Sequence, residues 1–412
     1  MSRDVRLLFA ARSARMFAYG ALAIVLVLYL DALGLDGAAI GALLSLTLVC
    51  DTAIGLWLTT RADRFGRRRT LLLGALLMAG AGIVFGIADA LPVLILAATI
   101  GVISPSGSEV GPFLAVEQAA LSQTVAGSRR TSVFAWYNLV GSVASAVGAL
   151  AAGATVTLLR ANGASDVDAY RVIVLGYGTL GIGLTLIFAG VSPQIEAPPD
   201  RPLADGTIRG RFGLHRSRGV VARLAALFTI DAFAGGFVIQ SLLAYWFYVT
   251  FAVPEAAIGG IFFAANLLAA ASSLAAARIA ARFGLINTMV FTHLPSNVLL
   301  VLVPLMPTVE LAVLMLLARY SISQMDVPTR QSYTMAVVDP DERSAAAGVT
   351  GVARSLGAAA GTAVAAPLLA VPGLAALPFF ISGALKVVYD LALWRAFRAR
   401  PAPEDPAPTA RA

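Results

Sequence analysis

The sequence predicts an all-α membrane protein with twelve transmembrane helices in two pseudo-symmetric six-helix halves. Three observations predict it. The 412 residues are 58% hydrophobic and only 13% charged, with a mean hydropathy of +0.82; a soluble chain of this length could not hide so much apolar surface. The apolar residues gather in segments of about 20 or more, the length a helix needs to cross a ~30 Å hydrocarbon core. Short motifs of the first half also return in the second at the same spacing.

The chain is organised around the turn Asp63-Arg64-Phe65-Gly66-Arg67-Arg68-Arg69, between the apolar stretches 38–60 and 70–89. Dense arginine beside a membrane-length segment marks the cytoplasmic side. The predicted spans are 7–31, 38–61, 70–89, 92–121, 131–160 and 170–192, then 221–250, 255–281, 285–305, 309–337, 343–371 and 374–397. With the turn inside, both termini lie inside by alternation. Arg3, Arg6, Arg129, Arg130, Arg209, Arg211, Arg216, Arg218, Arg282, Arg343, Arg395, Arg398 and Arg400 fall on that side. The opposite loops carry Asp31, Asp36, Asp89, Asp166, Asp168, Glu255 and Glu310, with only Arg160 and Arg171. This asymmetry is the positive-inside pattern.

Four domains follow: an N-terminal six-helix bundle over 1–192, a cytoplasmic linker over 193–219, a C-terminal six-helix bundle over 220–398 and a disordered cytoplasmic tail over 399–412. Pro193, Pro198, Pro199 and Pro202 stiffen the linker, and its basic run holds it at the membrane surface. The tail is rich in Pro and Ala. The net charge of +7 comes from arginines at segment ends, which orients the chain on anionic lipid and does not indicate nucleic acid. Lys386 is the only lysine, a usage bias without mechanism; Cys50, the only cysteine, cannot form an internal disulfide. The first apolar stretch has no convincing cleavage site and reads as a span, not a signal peptide.

The internal repeat is explicit. Ala39-Ile40-Gly41 matches Ala257-Ile258-Gly259, Arg64-Phe65-Gly66 matches Arg282-Phe283-Gly284, and Phe17-Ala18-Tyr19-Gly20 resembles Phe233-Ala234-Gly235-Gly236. Pro112 of span four matches Pro328 of span ten. Paired six-helix repeats are the architecture of alternating-access carriers, which hold substrate near the midplane.

The turn at Asp63–Arg69, placed between spans two and three of twelve and echoed at Arg282-Phe283-Gly284, resembles the loop signature of the major facilitator superfamily over about residues 5–400. Thr59 stands where that family usually has Gly, and Ala281 where the second copy would have its acid. Gly66 permits a tight turn with positive φ. Asp63 can face a helix N-terminus, and Arg64 and Arg67 can meet phosphates or carboxylates. The resemblance implies that Asp63, Arg64, Gly66 and Arg67 form a conformational latch closing the cytoplasmic side. Topology anchoring alone is the alternative.

Ionisable groups inside a span cost roughly 2.5–3.5 kcal/mol on insertion scales, so each requires a reason. Arg15 lies in span one, Glu109 in span four, Asp231 in span seven, and Asp326 and Arg330 in span ten. Base and acid exchange places between the halves. The expected pairs are Arg15–Glu109 and Asp231–Arg330, on the spans that line the cavity in the family this chain resembles. Glu109, Asp231 and Asp326 are the proton-coupling candidates; permanent structural salt bridges are the competing reading. Glu117 and Gln118 are expected to cap or to pair with Arg129 or Arg130, and Asp51 to find an inner-side arginine, although a proton-carrying role for Asp51 stays open.

Arg319, Gln324 and Arg330 make span ten unusually polar, and residues 319, 323, 326 and 330 share one helical face. Pro328 is expected to kink it. Asn138 of span five and Arg354 of span eleven occupy matching repeat positions, either facing the cavity or bracing the halves. With Arg15, these complete the substrate-cavity candidates. Lys386 and Asp390 are four apart and read as a same-helix pair; His293 reads as a hydrogen-bonded packing residue. Gly141, Gly148 and Gly153, and Gly351, Gly357 and Gly361, suit close helix contact between moving halves. Span five lacks the proline of the drug-exporter pattern known in the superfamily. Tyr245-Trp246-Phe247-Tyr248 reads as an interfacial belt, with an extracellular gate as the alternative.

No metal spacing, nucleophile elbow or phosphate-binding glycine loop occurs, so no enzyme, metal or cofactor is expected. The expected function is secondary active transport of a small molecule across the cytoplasmic inner membrane, by a monomer embedded in the lipid bilayer. Proton-coupled efflux is the leading form. Proton-coupled uptake of an anionic solute and a transport-inactive sensor of the same fold are the alternatives.

Overall fold

The computed structural model describes residues 2–109, 111–124, 127–196, 216–339, 342–371 and 373–399. Residues 197–215 of the predicted linker and the tail beyond 399 lie outside them. The described residues form α1 (Arg3–Ala32), α2 (Gly37–Phe65), α3 (Arg67–Ile87), α4 (Leu91–Ile100), α5 (Phe113–Thr124), α6 (Gly127–Ala161) and α7 (Asp166–Ala189). After the linker come α8 (Arg218–Gly236), α9 (Gln240–Phe251), α10 (Glu255–Phe283), α11 (Leu285–Leu302), α12 (Val309–Ser323), α13 (Asp326–Ala336), α14 (Arg343–Ala370) and α15 (Leu377–Phe397). The fold is all-α, and ten helical stretches among the described residues are long and apolar enough to cross a membrane.

Polar residues set several helix starts. Asp36 accepts from the Ala39 N–H, Ser165 from that of Asp168 and Thr308 from that of Leu311, each satisfying a donor the first turn leaves free. The repeat is visible at the arginine turn. Gly66 (φ 105°) and Gly284 (φ 81°) both adopt the left-handed region that a side chain disfavours. Gly66 N–H bonds Ala62 O and Gly284 N–H bonds Ala280 O, while Thr70 and Thr288 return hydroxyls to the two glycine carbonyls.

Three of the predicted continuous spans are instead interrupted. Span four breaks between α4 and α5, span seven between α8 and α9, and span ten between α12 and α13. In span four, Pro105 and Pro112 lack donors, and Gly107 (φ 67°) and Gly111 (φ 76°) leave helical geometry. The freed carbonyls are capped by side chains: Ser145 donates to Gly107 O, Tyr177 to Val102 O and Ser241 to Pro105 O. Unwound backbone survives at membrane depth only when satisfied in this way. Span ten breaks at Gln324 and Met325, ahead of the expected site. Pro328 then falls in the first turn of α13, where its missing N–H costs nothing.

The chain divides into two compact units, one of residues 1–202 with 239–266, the other of 203–238 with 267–412. In the first, α1 packs along α6 and α7, and α3 along α7; in the second, α8 packs along α14, and α11 along α15. Gly141, Gly148 and Gly153 of α6 and Gly357 and Gly361 of α14 serve packing inside their own unit. A Cβ on Gly148 would strike the Phe17 carbonyl of α1, and one on Gly361 the Phe233 carbonyl of α8. The stretch Tyr245–Phe247 is buried in the first unit and is not an interfacial belt. Tyr245 donates to Asp31 at 3.1 Å, and Glu255 of α10 binds Arg160 at 2.5 Å and Tyr170 at 2.7 Å.

Gly148→Leu should therefore destabilise the detergent-solubilised protein by about 1–3 kcal/mol, the usual cost of overpacking. Gly351→Leu, whose Cβ meets nothing within 4 Å, should melt like wild type in the same thermal scan.

Candidate functional site

Each unit carries a buried cluster of charged side chains. In the first, α1 contributes Arg12 and Arg15, one helical turn apart on the same face. The span-four break contributes Glu109, α5 contributes Glu117 and α6 contributes Tyr137. Arg15, with 0% exposure, donates Nε to Glu109 at 2.8 Å and both terminal nitrogens to Glu117 at 2.9 and 2.7 Å. Arg12 closes a further ion pair with Glu109, and Tyr137 donates to Glu117. The guanidinium of Arg15 lies 4.4 Å from the Phe113 ring centre, and that of Arg12 lies 4.9 Å from the Tyr137 ring centre. Gly141 leaves the room Arg12 occupies, since a Cβ there would meet its Nε. Two cations thus balance two carboxylates.

The second cluster centres on Asp231 of α8. Lys386 of α15 approaches it to 2.6 Å, Arg354 of α14 to 3.0 Å and Arg330 of α13 to 3.3 Å. Arg330 also holds Asp326 at 2.6 Å. Beside them Asp390 bonds His293 at 2.9 Å and accepts from Asn297 at 2.8 Å. Arg319 of α12 is 8% exposed and lies against Tyr320. Its Nε lacks a hydrogen-bond partner, and among the described residues it has no carboxylate partner.

Both expected pairs, Arg15–Glu109 and Asp231–Arg330, are present, but each is part of a larger set. Glu117 pairs with Arg15; the side chains of Arg129 and Arg130, its expected partners, lie outside the described residues. Lys386 reaches across to Asp231 and not along its own helix to Asp390, because α8 presents a carboxylate that α11 does not; His293 and Asn297 of α11 take Asp390. Asp51 has no arginine partner among the described residues and accepts the Gly111 backbone N–H. Asn138 is exposed, and Gln324 is half-buried at the α12–α13 junction. Arg12, Tyr137 and Asn297 were not anticipated. Arg12 was available from its three-residue spacing to Arg15; the other two required the tertiary packing.

At the arginine turn, Glu196 caps the start of α3. Its carboxylate accepts the Arg67 N–H at 2.6 Å and the Arg68 N–H at 3.2 Å. The Arg67 side chain bonds Ile195 O at 3.0 Å, and that of Arg68 bonds Phe188 O and Ala189 O at the end of α7. Arginine at a helix C-terminus also complements its dipole. The side chains of Asp63 and Arg64, the other two latch candidates with Gly66 and Arg67, lie outside the described residues.

Residues 8–362 match the Major Facilitator Superfamily. The chain belongs to this superfamily. It is accordingly a multi-pass membrane transporter and not an enzyme. An uncharacterized membrane protein of Saccharomyces cerevisiae is 29% identical over 95% of this chain and 93% of its own length. The fold is similar to that of a bacterial homolog of the human lysosomal transporter Spinster in an inward-facing, unoccupied conformation. That match has a TM-score of 0.74 and 15% identity, over 99% of this chain and 100% of the other. A D-xylose-proton symporter has a TM-score of 0.71 at 15% identity, covering 95% of this chain and 97% of its own. The human organic anion transporter MFSD10 has 0.61 at 18% identity, covering 95% and 99%.

Replacing Glu196 with Ala should strand two amide donors at the start of α3 and lower stability by about 0.5–2 kcal/mol, as loss of a helix cap does. Glu196→Gln should recover part of that in the same unfolding measurement.

Proposed function

We propose that this superfamily member is a secondary active transporter that moves a small molecule by alternating access, coupled to protons and in the direction of export. The observation that supports this reading is the pair of buried, charge-balanced clusters. Carboxylates in such sites are offset by the cations that face them, from other helices or, for Asp326, from Arg330 one turn along α13. When a cation is drawn away, by substrate or by helix movement, the carboxylate left behind gains most by taking a proton. Glu109, Asp231 and Asp326 are the groups proposed to do so. Arg15, Asn138, Arg319, Gln324, Arg330 and Arg354 are the proposed substrate contacts.

The proposal includes twelve membrane crossings, with α4–α5, α8–α9 and α12–α13 each making one broken crossing. It places both termini in the cytoplasm and a monomer in the cytoplasmic membrane. Asp63, Arg64, Gly66 and Arg67 act as its latch, with Glu196 as the acceptor at the start of α3.

A second reading, proton-coupled uptake of an anionic solute, is favoured by Arg319. A buried guanidinium without a carboxylate is costly until an anion neutralises it.

Everted vesicles with an acidic interior test both readings. Export by antiport predicts proton release when one compound of a panel of lipophilic cations and organic anions is added, lost in Asp231→Asn or Glu109→Gln. Release by both variants at the wild-type rate would make the clusters structural. Proton-linked entry of an organic anion in right-side-out vesicles would establish uptake, and binding without flux in either preparation would establish a sensor.

A further inference from the structure

The carboxylates of the two clusters share one property: each already has partners that hold its charge. Glu109 has two arginines, Glu117 has Arg15 and Tyr137, Asp231 has three cations, Asp326 has Arg330, and Asp390 has His293 and Asn297. Asp51, midway along α2, has no cation among the described residues. Among the described residues its partner is the backbone N–H of Gly111 in the span-four break.

Two glycines create this contact. Gly55 lies one turn beyond Asp51 on the same face of α2, and its missing side chain brings α2 against the Gly111 backbone; a Cβ at Gly55 would sit 3.6 Å from the Gly111 carbonyl carbon. Gly111 holds a φ of 76°, open to glycine and strained for other residues. Its N–H is thereby left outside any helix and lies on the carboxylate. The neutral phenols of Tyr19 on α1 and Tyr177 on α7 are titratable groups within electrostatic reach of Asp51. Of the other helices packed on α2, α4 carries no titratable group, α3 carries only Arg67, Arg68 and Arg69 in its first turn, and α5 carries Glu117, which is held by Arg15 and Tyr137. Glu109 lies two residues before Gly111 in the same break.

We propose that Asp51 is a proton-binding site of this transporter, separate from the paired carboxylates, and that its occupancy is felt at the span-four break. An unpaired carboxylate in a span is expensive, and one proton taken from water on the Oδ removes its charge without any cation having to leave. A neutral carboxyl accepts the Gly111 N–H more weakly than a carboxylate does. Protonation therefore loosens the contact between α2 and the break that positions Glu109 between Arg12 and Arg15; release of the proton restores it. The coupling role of Asp51 rests on the proton-coupled reading above, whereas proton binding by Asp51 does not.

The test is infrared difference spectroscopy during a pH titration of the purified protein in phosphatidylethanolamine–phosphatidylglycerol liposomes. Wild type should show the carbonyl band of a protonated carboxyl in acid and lose it as the medium becomes alkaline. The band should be absent from Asp51→Asn, shifted in Asp51→Glu and retained in Glu109→Gln. A band unchanged in both Asp51 variants would overturn the proposal; if Asp51→Asn fails to fold, Asp51→Glu decides. Proton release from vesicles of the same proteins separates the two levels. Loss of the band in Asp51→Asn together with no proton release by wild type would sink the coupling reading and leave the site. Proton release by wild type with an unchanged band would do the reverse.

Discussion

An ion in a hydrocarbon core must be neutralised by something nearby, and the arrangement of this protein depends on that constraint. Arg15 and Glu117 are both fully buried, where either alone would be far costlier than the two together. Their pairing dictates much of the first unit. Glu109, in the unwound chain, takes the Arg15 Nε while Glu117 takes its two terminal nitrogens. The unwinding requires glycine and proline between α4 and α5, and the freed carbonyls then require Ser145, Tyr177 and Ser241 as donors. Room for Arg12 requires Gly141.

The second unit meets the same constraint with different residues. Asp231 is an anion among three cations, on α13, α14 and α15, and Asp326 and Asp390 bring the local balance back toward neutrality. A cluster of this kind is stable as it stands and responsive to any added charge. On the proposed function, an anionic substrate would compete for a cation and a proton would compete with all of them. Arg319, a buried guanidinium with no described carboxylate partner, is where an incoming anion would meet least competition. The same electrostatics that let these charges exist in the membrane therefore suit them to sense a ligand.

Much of this was legible in the sequence, and the limits have physical causes. Segment length and arginine placement depend on local composition, so the all-α membrane class and the Gly66 and Gly284 turns could be read directly. The Arg15–Glu109 and Asp231–Arg330 contacts followed from the cost of intramembrane charge and the exchange of base and acid between repeats. The choice of Asp231 over Asp390 as the partner of Lys386 was not legible, because it depends on how α8 and α11 face α15. Nor was the break at Gln324. Proline gives a strong local signal, but at the third position of a helix it has no hydrogen bond to break. The burial of Tyr245–Phe247 was hidden because aromatic residues at a span end read alike whether they face lipid or another helix.

The most direct test of the central claim, that these buried charges are held in the membrane by one another, is a double-mutant cycle on Arg15 and Glu117 read by unfolding free energy. Arg15→Met and Glu117→Gln should each destabilise the protein by about 3–5 kcal/mol, and the double variant should return close to wild type. A double variant destabilised by the sum of the single effects would contradict the account.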